Sequence, residues 1–123
     1  MGAWIADDGV SITHVFARLQ VADRDTAAPW YERVLGRPAD MLPNAVEAAW
    51  QLTTDGWLYI DGAQPDPLPS TVVLLVDDLD ERMRSLDDRG VPTATRETLI
   101  DGGRKATVID ADGNRIVFAQ PGS

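Results

Sequence analysis

The chain reads as an α+β protein in which one strand–helix–strands module is written twice, βαβββ and then βαβββ. Three observations predict this. Val21-Ala-Asp23 precedes a helical stretch ending at Leu35-Gly36, and Val76-Asp-Asp78 precedes another ending at Arg89-Gly90. The valines are 55 positions apart and Gly36 and Gly90 are 54 apart, so the pattern is a tandem repeat. Each unit also opens on an apolar strand-like run and closes on Asp-Gly turn signals, which join neighbouring antiparallel strands. Two copies of a module often share a cleft, so function is sought on faces from both halves.

Residues 1–11 form a polar, glycine-containing lead-in. Residues 12–21 alternate, with Val15, Ala17, Leu19 and Val21 on one face and His14, Phe16, Arg18 and Gln20 on the other. That is strand periodicity, and the aliphatic face suits packing under a helix. Asp25 is the expected cap of the helix that stops at Gly36, which places Pro29 in or near the first turn, where a missing N–H costs little. A short strand is expected at 40–42, then a loop marked by Asn44. Residues 48–53 and 57–60 read as strands joined at Asp55-Gly56. The segment 62–69 contains three prolines and links the modules. Residues 71–76 form a short aliphatic run, expected to be a buried strand. Asp78 and Glu81 give a capping-box-like start to the second helix, which ends at Gly90. Strands follow near 93–98, 104–109 and 114–120, with Asp101-Gly102 and Asp112-Gly113 at the turns. The whole forms one domain, residues 1–123, with module one at about 12–62 and module two at about 70–120.

Composition narrows the function classes. At 123 residues, 44% hydrophobic and 25% charged, the chain is an ordinary globular one with enough length for a real core. No apolar run approaches the roughly 18 residues that cross a bilayer. The first residues lack a basic n-region and a long apolar stretch, so no secretory leader and a cytoplasmic location are expected. The absence of cysteine removes disulfides and thiolate chemistry. A net charge of −9 disfavours nucleic acid and is compatible with a cationic ligand, although acidity also serves solubility.

Val21-Ala-Asp23 followed by Trp30-Tyr31-Glu-Arg-Val-Leu35-Gly36 resembles the first-module signature of the vicinal oxygen chelate superfamily, which includes glyoxalase I, extradiol dioxygenases and the bleomycin and fosfomycin resistance proteins. Asp110-Ala-Asp112-Gly113-Asn-Arg-Ile116 resembles its closing hairpin and last strand. With the repeat, the resemblance covers residues 12–120. It implies two curved mixed sheets facing each other around a cavity, helices outside, and frequently a homodimer. Catalytic members hold a metal with two ligands, usually His, on the first strand of each module and two, usually Glu, on the last. Carried onto this chain, those positions are Phe16, Tyr59 (or Asp61 two residues on), Thr71 and Val117. Phenylalanine and valine have no lone pair to donate, and threonine and tyrosine are poor ligands for a divalent transition metal. The resemblance therefore implies a member without the chelate and without a cofactor.

A displaced site built on His14, the only histidine, and Asp61 offers two ligands at most. The acidic clusters at 77–81 and 110–112 are explained by helix capping and turn formation. No nucleophile–histidine pair, phosphate loop or dinucleotide fingerprint is present. What remains is an aromatic wall, with Phe16, Trp57 and Tyr59 sharing a face, Arg18 and Gln20 beside them, and Thr71 and Val117 from the second module. Trp50 is a further candidate whose facing depends on one residue of register. Aromatic walls with a few polar groups build small-molecule sites; the bland alternative is that these rings simply fill a closed core. Trp30 and Tyr31 are expected to pack their helix on the sheet. Trp4 is left to cap a dimer interface or to cover apolar surface.

The leading expectation is a metal-independent protein that binds a planar aromatic or cationic small molecule such as an antibiotic. The alternatives are a lyase, isomerase or dioxygenase relative with an altered site, and a non-catalytic sensing or interaction module.

Overall fold

The computed structural model describes residues 9–122; Trp4 lies outside them. The elements run β1 (Val15–Gln20), α1 (Arg24–Leu35), β2 (Glu47–Gln51), β3 (Gly56–Asp61), β4 (Thr71–Leu75), α2 (Leu79–Asp88), β5 (Thr95–Thr98), β6 (Arg104–Ile109) and β7 (Arg115–Gln120). They form two mixed sheets, of order β1-β3-β2 and β4-β7-β6-β5. In each, the first strand of the module pairs in parallel with the last, β1 with β3 and β4 with β7. The remaining neighbours are antiparallel. The strand expected at 40–42 survives only as a Met41–Ala49 bridge, at the position β5 occupies in the second sheet. Both sheets thus follow one plan.

Side chains paired in register share a face. On one face of each sheet lies the core: Leu19, Leu58, Ile60 and Trp50 in the first, Ile116, Phe118, Ala106 and Val108 in the second, all essentially buried. The helices cover these faces. Tyr31 and Val34 of α1, and Leu79 and Leu86 of α2, are buried within the same cluster. Tyr31 meets the Trp50 ring at a centroid distance of 5.9 Å, as expected for a ring that seats its helix on the sheet.

Several local details depart from the sequence reading. Asp23, not Asp25, caps α1: its carboxylate accepts from the Thr26 backbone N–H at 2.9 Å and from the Thr26 hydroxyl at 2.8 Å. The helix therefore starts two residues earlier, and Pro29 falls inside it. Asp78 caps α2 as expected, accepting from the Glu81 N–H at 3.0 Å. Gly36 and Gly90 end the helices at φ of 86° and 77°, a region glycine enters without strain. The third departure is β4. It is an edge strand, and its Val73 and Leu75 are 54% and 71% exposed, so it is covered on one face only.

A buried polar cluster ties the modules together. The Tyr31 hydroxyl donates to Asp110 Oδ2 at 2.7 Å, linking α1 to the β6–β7 turn. Asp110 Oδ1 accepts from the backbone N–H groups of Asp112 and Asn114. Asn114 Nδ2 donates to the Gln20 carbonyl at 2.7 Å, and its Oδ1 accepts from the Ser70 N–H. Each buried polar atom in the cluster has a partner, as burial demands. The closing Asp110–Asn114 turn is thereby the clasp between β1, α1 and the linker. Burial and the Asp110 carboxylate hold the Tyr31 hydroxyl far above its usual pKa, so it stays a protonated donor.

Candidate functional site

The face of the first sheet turned away from α1 carries Phe16, Arg18 and Gln20 from β1 and Trp57, Tyr59 and Asp61 from β3. The parallel register sets Phe16 beside Trp57, Arg18 beside Tyr59 and Gln20 beside Asp61. The Phe16 and Trp57 rings stack with centroids 5.8 Å apart and planes 20° from parallel. Phe16 meets Tyr59 edge-on at 6.2 Å and 74°. These separations are those at which aromatic pairs attract. Phe16 is 54% exposed, so one side of the cluster is free.

Next to the rings, Arg18 holds Asp61. Its Nε and a terminal nitrogen donate to the same carboxylate oxygen at 2.9 and 2.6 Å. Asp61 is 5% exposed, and its other oxygen accepts from the Ala63 N–H at 2.9 Å. Burial opposes the charge on Asp61, but the hydrogen bonds from Ala63 and Arg18 outweigh it and hold the carboxyl below its ordinary value. Asp61 is thus a fixed anion already committed to a cation.

Trp50 does not join this wall. It pairs with Leu58, so it points to the opposite face, fully buried, with its indole N–H donating to the Arg37 carbonyl at 2.9 Å. Gln51, one residue on, is the β2 residue that stands beside Trp57. The second sheet presents Thr71, Val73 and Leu75 from β4 and Arg115, Val117 and Ala119 from β7 on its corresponding face. Thr71 is exposed and Val117 half-buried. The strand registers match Phe16 to Thr71, Trp57 to Arg115, Tyr59 to Val117 and Asp61 to Ala119. Within one chain these faces are open surfaces. Of the side chains on these faces, Val73 and Leu75 of the edge strand β4 also line cavities found among the described residues, those of about 690 and 500 Å³; the cavities of about 310 and 230 Å³ lie elsewhere.

The donor set does not suit a transition metal. Phe16 and Val117 offer no lone pair, and Asp61 is spent on Arg18. His14 precedes β1 whereas Asp61 pairs with Gln20 at its far end. At about 3.3 Å per residue the two are roughly 20 Å apart, too far to share an ion. The His14 ring instead meets the neighbouring Thr13 hydroxyl at 3.0 Å. Among the described residues, no group of three or more His, Asp or Glu side chains is gathered for a metal.

Paired βαβββ modules, each with parallel first and last strands and a helix on one face, define the vicinal oxygen chelate fold. The chain is similar to a glyoxalase/bleomycin resistance protein from Catenulispora acidiphila, at 34% identity over 89% of this chain and 99% of that one, with a TM-score of 0.84. By that likeness it belongs to the glyoxalase/bleomycin resistance protein family. It is also similar to a bleomycin resistance determinant encoded on the transposon Tn5, at 26% identity over 89% and 98% of the two chains and a TM-score of 0.73. A bleomycin-binding protein, solved with bleomycin, matches at 25% identity over 89% and 99% with a TM-score of 0.70. No protein-family model matches the sequence, and no curated protein matches it. No helix among the described residues is long and apolar enough to cross a membrane.

Proposed function

We propose that the protein is a metal-independent, cytoplasmic small-molecule-binding protein that captures a planar aromatic or cationic compound, such as an antibiotic, on the Phe16–Trp57–Tyr59 face. One observation carries this reading. The three rings are pre-assembled on a rigid sheet, one side of the cluster is free, and the neighbouring polar pair is already satisfied. A planar ligand stacks there without first breaking protein contacts, and preorganisation of that kind favours binding. The likeness to a bleomycin-binding protein supports the ligand class.

The open faces need a cover for such a site to enclose its ligand. Phe16 on the first sheet and Val73 and Leu75 on the second are each more than half exposed, which leaves large apolar side chains for a partner to cover. In this reading a second copy of the chain provides the cover, and the ligand sits between two protomers.

Tryptophan fluorescence tests the proposal. Bleomycin, followed by a panel of planar and cationic compounds, should quench the emission saturably, and Trp57→Ala should abolish the response. A full panel without binding would leave the face as an interaction surface. Metal analysis addresses the enzyme reading: one tightly held Zn, Ni, Mn or Fe per chain, lost on changing Asp61, would restore it.

A further inference from the structure

Away from the aromatic face, a cavity of about 500 Å³ lies between the β2–β3 connection and the edge strand β4. Its size is in the range of small-molecule sites. Leu35, Leu52, Val73, Leu75 and Phe118 supply its apolar walls. Its charged residues are two arginines, Arg37 and Arg82, with no carboxylate among the lining side chains. That is unexpected in a chain of net charge −9.

The arginines differ. Arg37 is paired with Asp40 at 2.9 Å. Arg82 is half-buried, with its guanidinium carbon 5.1 Å from the centroid of the Phe118 ring. Among the described residues its side chain makes no hydrogen bond or ion pair. Burial pushes its pKa down and the nearby Arg89 adds to this, with no carboxylate pulling the other way. Three acidic side chains line the adjoining groove between the helices: Asp78 caps α2, Glu81 pairs with Arg84 at 2.6 Å, and Asp77 is exposed to solvent. A half-buried cation without a counter-ion is costly, and a guanidinium presents its donors in a fork that matches a carboxylate.

We propose that this crevice is a second binding site, distinct from the aromatic face, for a small organic anion with an apolar body, its carboxylate held by Arg82 and its body against Leu35, Leu52 and Phe118. Val73 and Leu75, 54% and 71% exposed, form the outer lip.

The test uses 2-naphthoate and its neutral isostere 2-naphthamide, titrated calorimetrically against the full-length protein. The naphthoate should bind at least about tenfold more tightly than the amide, the factor that corresponds to about 1.4 kcal/mol. Arg82→Met keeps the apolar stem and should erase that preference; Arg82→Gln checks the result with a second side chain, and circular dichroism confirms that both fold. Trp57→Ala should keep the preference, which separates this site from the aromatic face. Equal binding of acid and amide, no binding of the acid at millimolar concentration, a preference that survives loss of Arg82, or one lost with Trp57 would each overturn the proposal.

Discussion

Replacing Trp57 with alanine distinguishes a binding wall from a core. A fully buried aromatic truncated to alanine costs about 3–5 kcal/mol, because its contacts are lost and a cavity remains. Trp50 meets that description: it is fully buried, packs against Tyr31, and its indole N–H donates to the Arg37 carbonyl. Trp57 is only half-buried and stacks on an exposed Phe16. It loses the ring pair, about 0.5–1.5 kcal/mol, and part of its burial, so roughly 1–2 kcal/mol is expected in all. Urea denaturation of the two variants gives both numbers, and a ligand titration of the Trp57 variant adds the functional half. Trp50→Ala should fall near the upper figure, and Trp57→Ala should stay folded with binding gone. A loss of 3 kcal/mol or more at Trp57 would show that the rings are a plug, and the reasoning behind the proposed site would fail.

The remaining expectations concern the clasp, pH and assembly. Tyr31→Phe removes a buried donor from Asp110 and should destabilise the fold by roughly 1–3 kcal/mol, read from the same urea curves. Asp61 is held below its unfolded pKa, so its contribution is present above the unfolded value and is lost as pH falls through the folded one; Asp61→Asn should flatten that acid limb of stability against pH, and an unchanged limb would contradict the pairing with Arg18. Sedimentation at micromolar concentration should give a dimer, and Leu75→Asp, on the exposed face of β4, should shift it to monomer. A wild-type monomer at that concentration would remove the second copy from the site.

The elements that recur in the sequence were legible because they rest on local chemistry. The helix ends at Gly36 and Gly90, the Asp78 cap and the Asp101-Gly102 and Asp112-Gly113 turns are all present, the four glycines at positive φ, whereas the tight turn expected at Asp55-Gly56 is not: residues 52–55 make the connection and Gly56 opens β3. The α1 cap is not legible in the sequence because Asp23 and Asp25 are both competent caps; Thr26, whose N–H and hydroxyl both reach Asp23, settles the choice. Trp50 was the harder case. Alternation alone does not fix a strand's facing, because one extra residue in the connection reverses it. Here residues 52–55 separate β2 from β3, and the Leu52 and Thr53 N–H groups both turn to the Gly56 carbonyl. That register puts Gln51, not Trp50, beside Trp57. The exposure of β4 was hidden for a different reason. An aliphatic strand reads as buried from composition, and whether anything covers its second face is not encoded within the strand.

The comparison between modules shows where the chemistry resides. Features that build the backbone are duplicated: Val21 N–H donates to the Asp61 carbonyl at 3.0 Å and Val76 N–H to the Ala119 carbonyl at 2.8 Å, and an aspartate caps each helix. The positions on the open faces are not duplicated. Phe16, Trp57, Tyr59 and Asp61 in the first sheet stand where Thr71, Arg115, Val117 and Ala119 stand in the second. The helix-side positions are constrained by close packing, where even a methylene is felt, whereas most of the open-face positions, Phe16 and Thr71 among them, are at least partly exposed and less constrained. The aromatic cluster is therefore a property of the first module alone, without a counterpart in the second. That one-sided placement supports the proposed ligand site, because a ring cluster needed only to fill a duplicated core would be expected in both sheets.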